Sequence, residues 1–146
     1  MGEDSVRPFL GFEKKWVILL ALTSNAGSCD FQSQVLRQGQ PLFEWVLKRS
    51  QQWAGKDELM YVVGATKAEF LKQVRAIAPD YFLLVPGVGA QGGNLNEVMK
   101  FGRGKTSAAL LINSSRGIIY KSSEKDFADA ARNEAQALQA QMQLFL

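Results

Sequence analysis

Histidine is absent from this chain of 146 residues, and cysteine occurs once, at Cys29. Without an imidazole there is no Ser-His-Asp or Cys-His pair, no histidine metal ligand and no imidazole acid or base. With a single thiol there is no intramolecular disulfide and no cysteine-based zinc site. Catalysis by this chain is left to carboxylates, lysine, tyrosine or a metal held by oxygen ligands. Cys29 itself reads as an incidental thiol in a reducing cytoplasm. Long apolar runs are missing as well. The longest, Trp16 to Leu22, has seven residues, whereas a bilayer span needs about 20. The amino terminus carries Glu3 and Asp4 instead of a basic region leading into a long apolar one, so neither a membrane partner nor a secretory leader is expected. Concentrated positive charge is the third absence. Lys and Arg number 17 against 14 Asp and Glu, a net charge of +3. They are scattered from Arg7 to Arg132 and adjacent only at Lys14-Lys15 and Lys48-Arg49. No basic stripe follows a phosphate backbone, and nucleic acid is not an expected partner.

What is present is an ordinary globular composition, 47% hydrophobic and 21% charged, in a length that suits one domain. Four apolar runs stand out: Trp16 to Leu22, Met60 to Ala65, Tyr81 to Val85 and Ala108 to Ile112. Each is too short for a helix and too uniformly apolar for a strand with one wet face, which predicts strands buried on both sides of a parallel sheet. Between them, Leu42, Phe43, Val46, Leu47 and Trp53 mark a helical face. A capping box at Thr66-Lys-Ala-Glu69 opens a second helix, through Phe70, Leu71, Val74 and Ile77 to Pro79. Asn94-Leu-Asn-Glu97 opens a third, with Gly102 as its stop. An alanine- and glutamine-rich helix spans about Asp126 to Phe145, and Asp4 or Ser5 caps a short helix through Leu10. One helix followed by four strand–helix units predicts an α/β fold with right-handed crossovers. The connection from Thr23 to Gln40 is unusually long, as functional loops after strands often are.

Three motifs carry chemistry. Val85-Pro86-Gly87-Val88-Gly89-Ala90-Gln91-Gly92-Gly93 follows the third strand and precedes a helix. Four glycines permit close backbone approach, and unpaired NH groups at the helix start favour an anion, with phosphate the expected guest. Gly87, Gly89 and Gly92 also satisfy G-x-G-x-x-G, but a dinucleotide fold places that pattern after its first strand with an acid about 20 residues on. Leu110 to Ser115 offers no acid, so an NADP-linked oxidoreductase, with Arg116 on the 2′-phosphate, is a minority alternative. Asn113-Ser114-Ser115-Arg116-Gly117 ends the fourth strand, where the guanidinium fork suits phosphate oxygens. Thr23, Ser24 and Asn25 end the first strand and can hydrogen-bond a polar ring edge.

At these residues the sequence resembles the orotidine 5′-phosphate decarboxylase (OMP decarboxylase) family, and its longer bacterial branch most closely. The most specific stretches are Leu84-Val-Pro-Gly-Val-Gly-Ala-Gln-Gly-Gly93, Leu111-Ile-Asn-Ser-Ser-Arg-Gly-Ile-Ile-Tyr120 and Trp16-Val-Ile-Leu-Leu-Ala-Leu-Thr-Ser-Asn25. The resemblance implies that Gln91 bridges the phosphate and pyrimidine ends of orotidine 5′-phosphate or UMP. It implies that Ser115 and Arg116 hold the phosphate, Ser24 contacts the pyrimidine, and Pro86 lines the base pocket, with Gly87, Gly89, Gly92 and Gly93 forming the glycine loop. No metal or cofactor is implied.

The family fold is a (β/α)8 TIM barrel of typically about 250 residues. The resemblance therefore implies that residues 1–146 are a single partial domain, the second half of that barrel, with its strands five to eight. Family members protonate the carbanion left by CO2 loss with a lysine in a D-x-K-x-x-D motif, one aspartate coming from the partner subunit. That motif is absent here; the nearest stretch, Lys121-Ser-Ser-Glu-Lys-Asp126, lacks the first acid. No catalytic residue is expected in this chain, which by itself is expected to be inactive. A half barrel that binds a phosphorylated ligand without chemistry is the other alternative. Two open sheet edges predict self-association or a homodimer.

Overall fold

All four apolar runs become strands. A computed structural model, which describes residues 2–89, 91–105 and 107–146, places them as β1 (Val17–Leu22), β2 (Leu59–Val63), β3 (Phe82–Pro86) and β4 (Leu110–Asn113). Ala90, in the glycine-rich motif, lies outside the described residues. The helices are α1 (Glu3–Val6), α2 (Ser28–Phe31), α3 (Leu42–Ser50), α4 (Ala68–Ile77), α5 (Leu95–Gly102), α6 (Ser115–Ile119) and α7 (Phe127–Gln143). The sheet is entirely parallel in the order β1-β2-β3-β4. All carboxyl ends therefore lie along one rim, where ligands of parallel α/β proteins bind.

The core lies between the sheet and its helices. Tyr61, Val63, Leu83 and Val85 from the strands meet Phe43, Leu47, Leu71, Val74, Val98 and Met99 from α3, α4 and α5. The Tyr61 hydroxyl lies 2.8 Å from Ser50 Oγ. Burial, opposed by that hydrogen bond, lifts its pKa to about 12, so the pair is neutral over the physiological range.

The other face of the sheet differs from expectation. Ile18 is 43% exposed, Leu20 56%, Phe82 40% and Leu111 51%. The side chains that a doubly covered parallel sheet requires are there, but helices cover one side only, so the strands are not buried on both faces. Uniform apolarity reports what a strand needs, and not which segment supplies it.

Local signals were met unevenly. Asn94 Oδ1 accepts from the amides of Asn96 at 2.9 Å and Glu97 at 3.3 Å, the N-cap its sequence predicts. The Thr66 hydroxyl instead donates to the Ser24 carbonyl at 3.3 Å. A 3-10 turn over Ala65–Lys67 precedes α4, so Thr66 ties two loops together and does not sit at the helix start. Gly2 precedes α1, with Ser5 inside the helix and its hydroxyl donating back to the Gly2 carbonyl at 2.8 Å. Helix α3 ends at Ser50, whose hydroxyl donates to the Val46 carbonyl at 2.7 Å, so Trp53 lies beyond it.

Arg75, in α4, is 9% exposed. Its guanidinium donates to the carbonyls of Gly102, of Ala78 at 3.1 Å, of Tyr81 at 2.6 Å and of Ala109 at 2.9 Å. It thereby joins the ends of α4 and α5 to the amino-terminal ends of β3 and β4, opposite the ligand rim.

Candidate functional site

The loops after β3 and β4 meet at the carboxyl rim, and a single buried hydroxyl locks them together. Ser114 Oγ donates to the Val88 carbonyl at 2.9 Å. Beside this link lies a cavity of about 180 Å³ lined by Pro86, Gly87, Gln91, Ser115, Arg116 and Gly117, among others. All six belong to the β3 and β4 motifs read from the sequence, and strand pairing explains the convergence: Pro86 stands opposite Asn113 in the β3–β4 register. The side chain of Ser115 donates to Asn113 Oδ1 at 2.8 Å, which fixes the entry to α6. The amides of Ser115, Arg116 and Gly117 fall in the first turn of that helix, where backbone donors lack intrahelical acceptors. Gly117 admits the Ser114 hydroxyl, because a Cβ there would lie 2.8 Å from Ser114 Oγ. The Arg116 side chain is exposed, and among the described residues no carboxylate pairs with it.

The glycine-rich loop works differently from the sequence expectation. Gly87, Gly89 and Gly92 have φ of 96°, 77° and 86°, a region that costs side-chain-bearing residues but not glycine. Gly93 is required for space, since a Cβ would meet Ala65 Cβ at 2.5 Å and the Gly87 carbonyl at 2.6 Å. The loop's amides are turned inward: Gly89 donates to Gly93, Gly92 to Gly89 and Gly93 to Gly87, at 3.0, 2.7 and 3.0 Å. Two donors at the start of α5 are taken by Asn94. The donors expected to be free there are thus in part engaged, the amides of Asn96 and Glu97 by Asn94 and those of Gly89, Gly92 and Gly93 within the loop. What the loop does is deliver Gln91 and Pro86 to the cavity. Gly92 and Gly93 support that path without lining it.

Ser24, at the end of β1, reaches the same place. Its hydroxyl is buried and has no hydrogen-bond partner among the described residues. It lies 3.6 Å from the position a Cβ on Gly87 would take, and Gln91 Oε1 lies 3.1 Å from that same position. Its neighbours are already engaged: Thr23 Oγ1 donates to Asn25 Oδ1 at 2.6 Å, and the Thr23 amide donates to Gln32 Oε1 at 2.7 Å. Of the three, Ser24 is the one whose hydroxyl is buried without a hydrogen-bond partner among the described residues.

A residue missed in the sequence makes this possible. A Cβ on Gly64 would fall 1.9 Å from Ser24 Oγ and 2.6 Å from the Ser24 amide nitrogen. A glycine closing an otherwise apolar strand run was the available signal. Gly64→Ala is expected to push the Ser24 backbone outward at a cost of about 1–3 kcal/mol. Urea denaturation with hydrogen exchange over residues 23–25 would measure it, and unchanged stability and exchange would contradict it.

Other candidates lie elsewhere. Cys29 is exposed, with its thiol 3.0 Å from the Ala26 carbonyl. Lys121 pairs with Glu134 at 2.7 Å and Asp126 accepts from Ser122 at 2.6 Å, a solvated stretch ahead of α7. Among the described residues no cluster of three metal-ligating side chains occurs, and no helix is long and apolar enough to cross a membrane.

Comparison with known proteins decides the family. The model of the orotidine 5′-phosphate decarboxylase / HUMPS family matches residues 1–132. The chain belongs to that family. It is 58% identical over 142 residues to orotidine 5′-phosphate decarboxylase of Bacteroides fragilis, covering 97% of this chain and 52% of the relative. The Parabacteroides distasonis enzyme is 54% identical over 146 residues, 100% of this chain and 52% of its own length. The structure of Leishmania donovani OMP decarboxylase superposes with a TM-score of 0.80 at 34% identity, over 97% of this chain and 54% of that one. The chain thus spans about half the length of the OMP decarboxylases it matches.

Proposed function

We propose that this chain is the ligand-gripping half of an orotidine 5′-phosphate decarboxylase, corresponding to strands five to eight of a (β/α)8 barrel. The observation that carries this is the meeting of Arg116, Ser115, Gln91 and Pro86 at one cavity, with the orphaned Ser24 hydroxyl close to the same loop. The Arg116 fork and the amides of Ser115 and Arg116 take the phosphate, in a charge-assisted geometry that suits its oxygens. Gln91 stands between the two ends of the ligand, Ser24 hydrogen-bonds the pyrimidine, and Pro86 forms an apolar wall against it. Glycine conformations at Gly87, Gly89 and Gly92, and the close packing of Gly93, hold these groups in place.

Phosphate is gripped far from the carbon that loses CO2. Such remote binding contributes to the rate when it strengthens toward the transition state. The proton donor and its flanking carboxylates have no counterpart in this sequence, so the chain binds without decarboxylating. The whole enzyme acts on orotidine 5′-phosphate in UMP synthesis, a cytoplasmic reaction requiring no cofactor, and pairs with a second subunit.

A thermal-shift titration with UMP and NADP tests the ligand class. Stabilisation by UMP and none by NADP is expected; stabilisation by NADP alone would overturn the proposal. Turnover of orotidine 5′-phosphate by the purified chain, abolished by Arg116→Ala, would overturn the inactivity.

A further inference from the structure

The β3–β4 ladder ends at Pro86 and Asn113. Beyond it, no backbone hydrogen bond among the described residues joins the two loops that line the cavity. The polar link between them is Ser114, 8% exposed, whose hydroxyl donates to the carbonyl of the buried Val88 at 2.9 Å. Ser114 is also the residue that precedes α6, a position from which serine ordinarily turns its hydroxyl to the amides of its own helix. It makes no such bond; the hydroxyl reaches the other loop instead. Gly117 leaves room for it, since a Cβ there would lie 2.8 Å from Ser114 Oγ, and a Cβ on Gly89 would lie 3.5 Å from the same atom. The hydroxyl is therefore packed between a glycine of each loop.

We propose that Ser114 is a positioning residue that sets the spacing of the two loops, so that Gln91 on one and Arg116 on the other meet a single ligand at once. The role rests on the reading of the cavity as the place where the phosphate and pyrimidine ends of one nucleotide are held. Ser114 itself touches neither end. The two ends of a nucleotide are covalently joined, and a site built from two loops binds it well only when the loops already stand at the matching separation. Otherwise binding must order them first. With the tie intact, the free protein is already ordered. Without it the buried Val88 carbonyl loses its donor, while each loop keeps its own contacts. The amides of Gly89, Gly92 and Gly93 bond within the loop after β3, and the Ser115 hydroxyl bonds to Asn113 in the loop after β4. What Ser114→Ala removes is the relation between the loops and not the shape of either. The joined ligand, UMP, reads that relation; its separated parts, uridine and inorganic phosphate, do not.

NMR titration of the chain with UMP, uridine and inorganic phosphate separates these cases. Ser114→Ala is expected to weaken UMP binding by about tenfold or more. Its affinities for uridine and for phosphate are expected to stay within about twofold of wild type, the scatter of independent sites. Ser114→Thr keeps the hydroxyl and is expected to recover most of the affinity for UMP. Ser114→Cys fills the same space with a weaker donor and is expected to lie between alanine and wild type, which keeps the test decisive if the alanine variant does not fold. A variant that loses all three ligands together, or that binds UMP as wild type does, would overturn the role and leave the ligand reading standing. So would a wild type that binds UMP but neither part, since each loop keeps its own contacts. A wild type that binds none of the three would overturn the ligand reading, and the role with it.

Discussion

Replacing Arg75 by leucine is expected to lower the stability of the chain by about 3–5 kcal/mol, a large share of the roughly 5–15 kcal/mol typical of a domain. The guanidinium, 9% exposed, serves the carbonyls of Gly102, Ala78, Tyr81 and Ala109. Each buried acceptor left without a donor costs about 1–3 kcal/mol. Against this stands the cost of burying the charge. Desolvation pulls the guanidinium down to about 10, opposed by Asp80. Removing that charge returns some free energy, but leucine offers four carbonyls nothing, so the acceptors decide the sign. Lysine at this position keeps the charge but cannot present a planar fork to carbonyls on separate segments, so Arg75→Lys should lie between the two.

The pH dependence follows from the same shift. The folded chain releases this proton at a lower pH than the unfolded one, so the unfolded state binds more protons above about pH 10, and this group's contribution to stability rises there. Around neutral pH both states are charged and its contribution is flat. Urea midpoints of wild type, Arg75→Leu and Arg75→Lys measure the ranking; a leucine variant within about 1 kcal/mol of wild type would refute the role, since most surface substitutions stay within about half that.

Arg116→Ala is expected to weaken UMP binding by about 30-fold or more, the equivalent of roughly 2–3 kcal/mol for a hydrogen bond to a charged group, while leaving the urea midpoint unchanged. The separation is expected because Arg116 is exposed and pairs with no carboxylate among the described residues, so the fold does not lean on it. Arg116→Lys restores the charge without the bidentate fork and should recover only part of the affinity. Calorimetric titration of the three proteins with UMP measures the series. Equal affinities would remove Arg116 from the site.

The contrast between these two arginines shows what the sequence made legible. Arg116 stands directly after an apolar strand beside Ser114 and Ser115, and the end of a parallel strand is where a ligand contact belongs. Arg75 sits between Val74 and Ile77 in an amphipathic helix, where any long cation can turn to solvent. Its burial depends on the carbonyl ends of α5 and β4, which only the tertiary arrangement brings near. Strand and helix order were readable for the same reason as Arg116: apolar runs and helical spacing are local. The glycine loop was read half correctly. Its position was plain, but the left-handed backbone of Gly87, Gly89 and Gly92 depends on the path of the chain, and Gly87 also lines the cavity. The role of Gly64 was hidden because its neighbour, Ser24, lies 40 residues away in sequence. The apolar runs alone pointed to strands covered on both faces, since an apolar strand does not record what covers it; only the resemblance to half a barrel implied an open face.

The central claim is that this chain grips the ligand and does not transform it. Titration calorimetry with orotidine 5′-phosphate tests both halves in one measurement. The expected trace shows heats that saturate as the cavity fills, each injection returning to its baseline. Sustained heat flow from continuing decarboxylation, or injections with no binding heat at all, would contradict the claim.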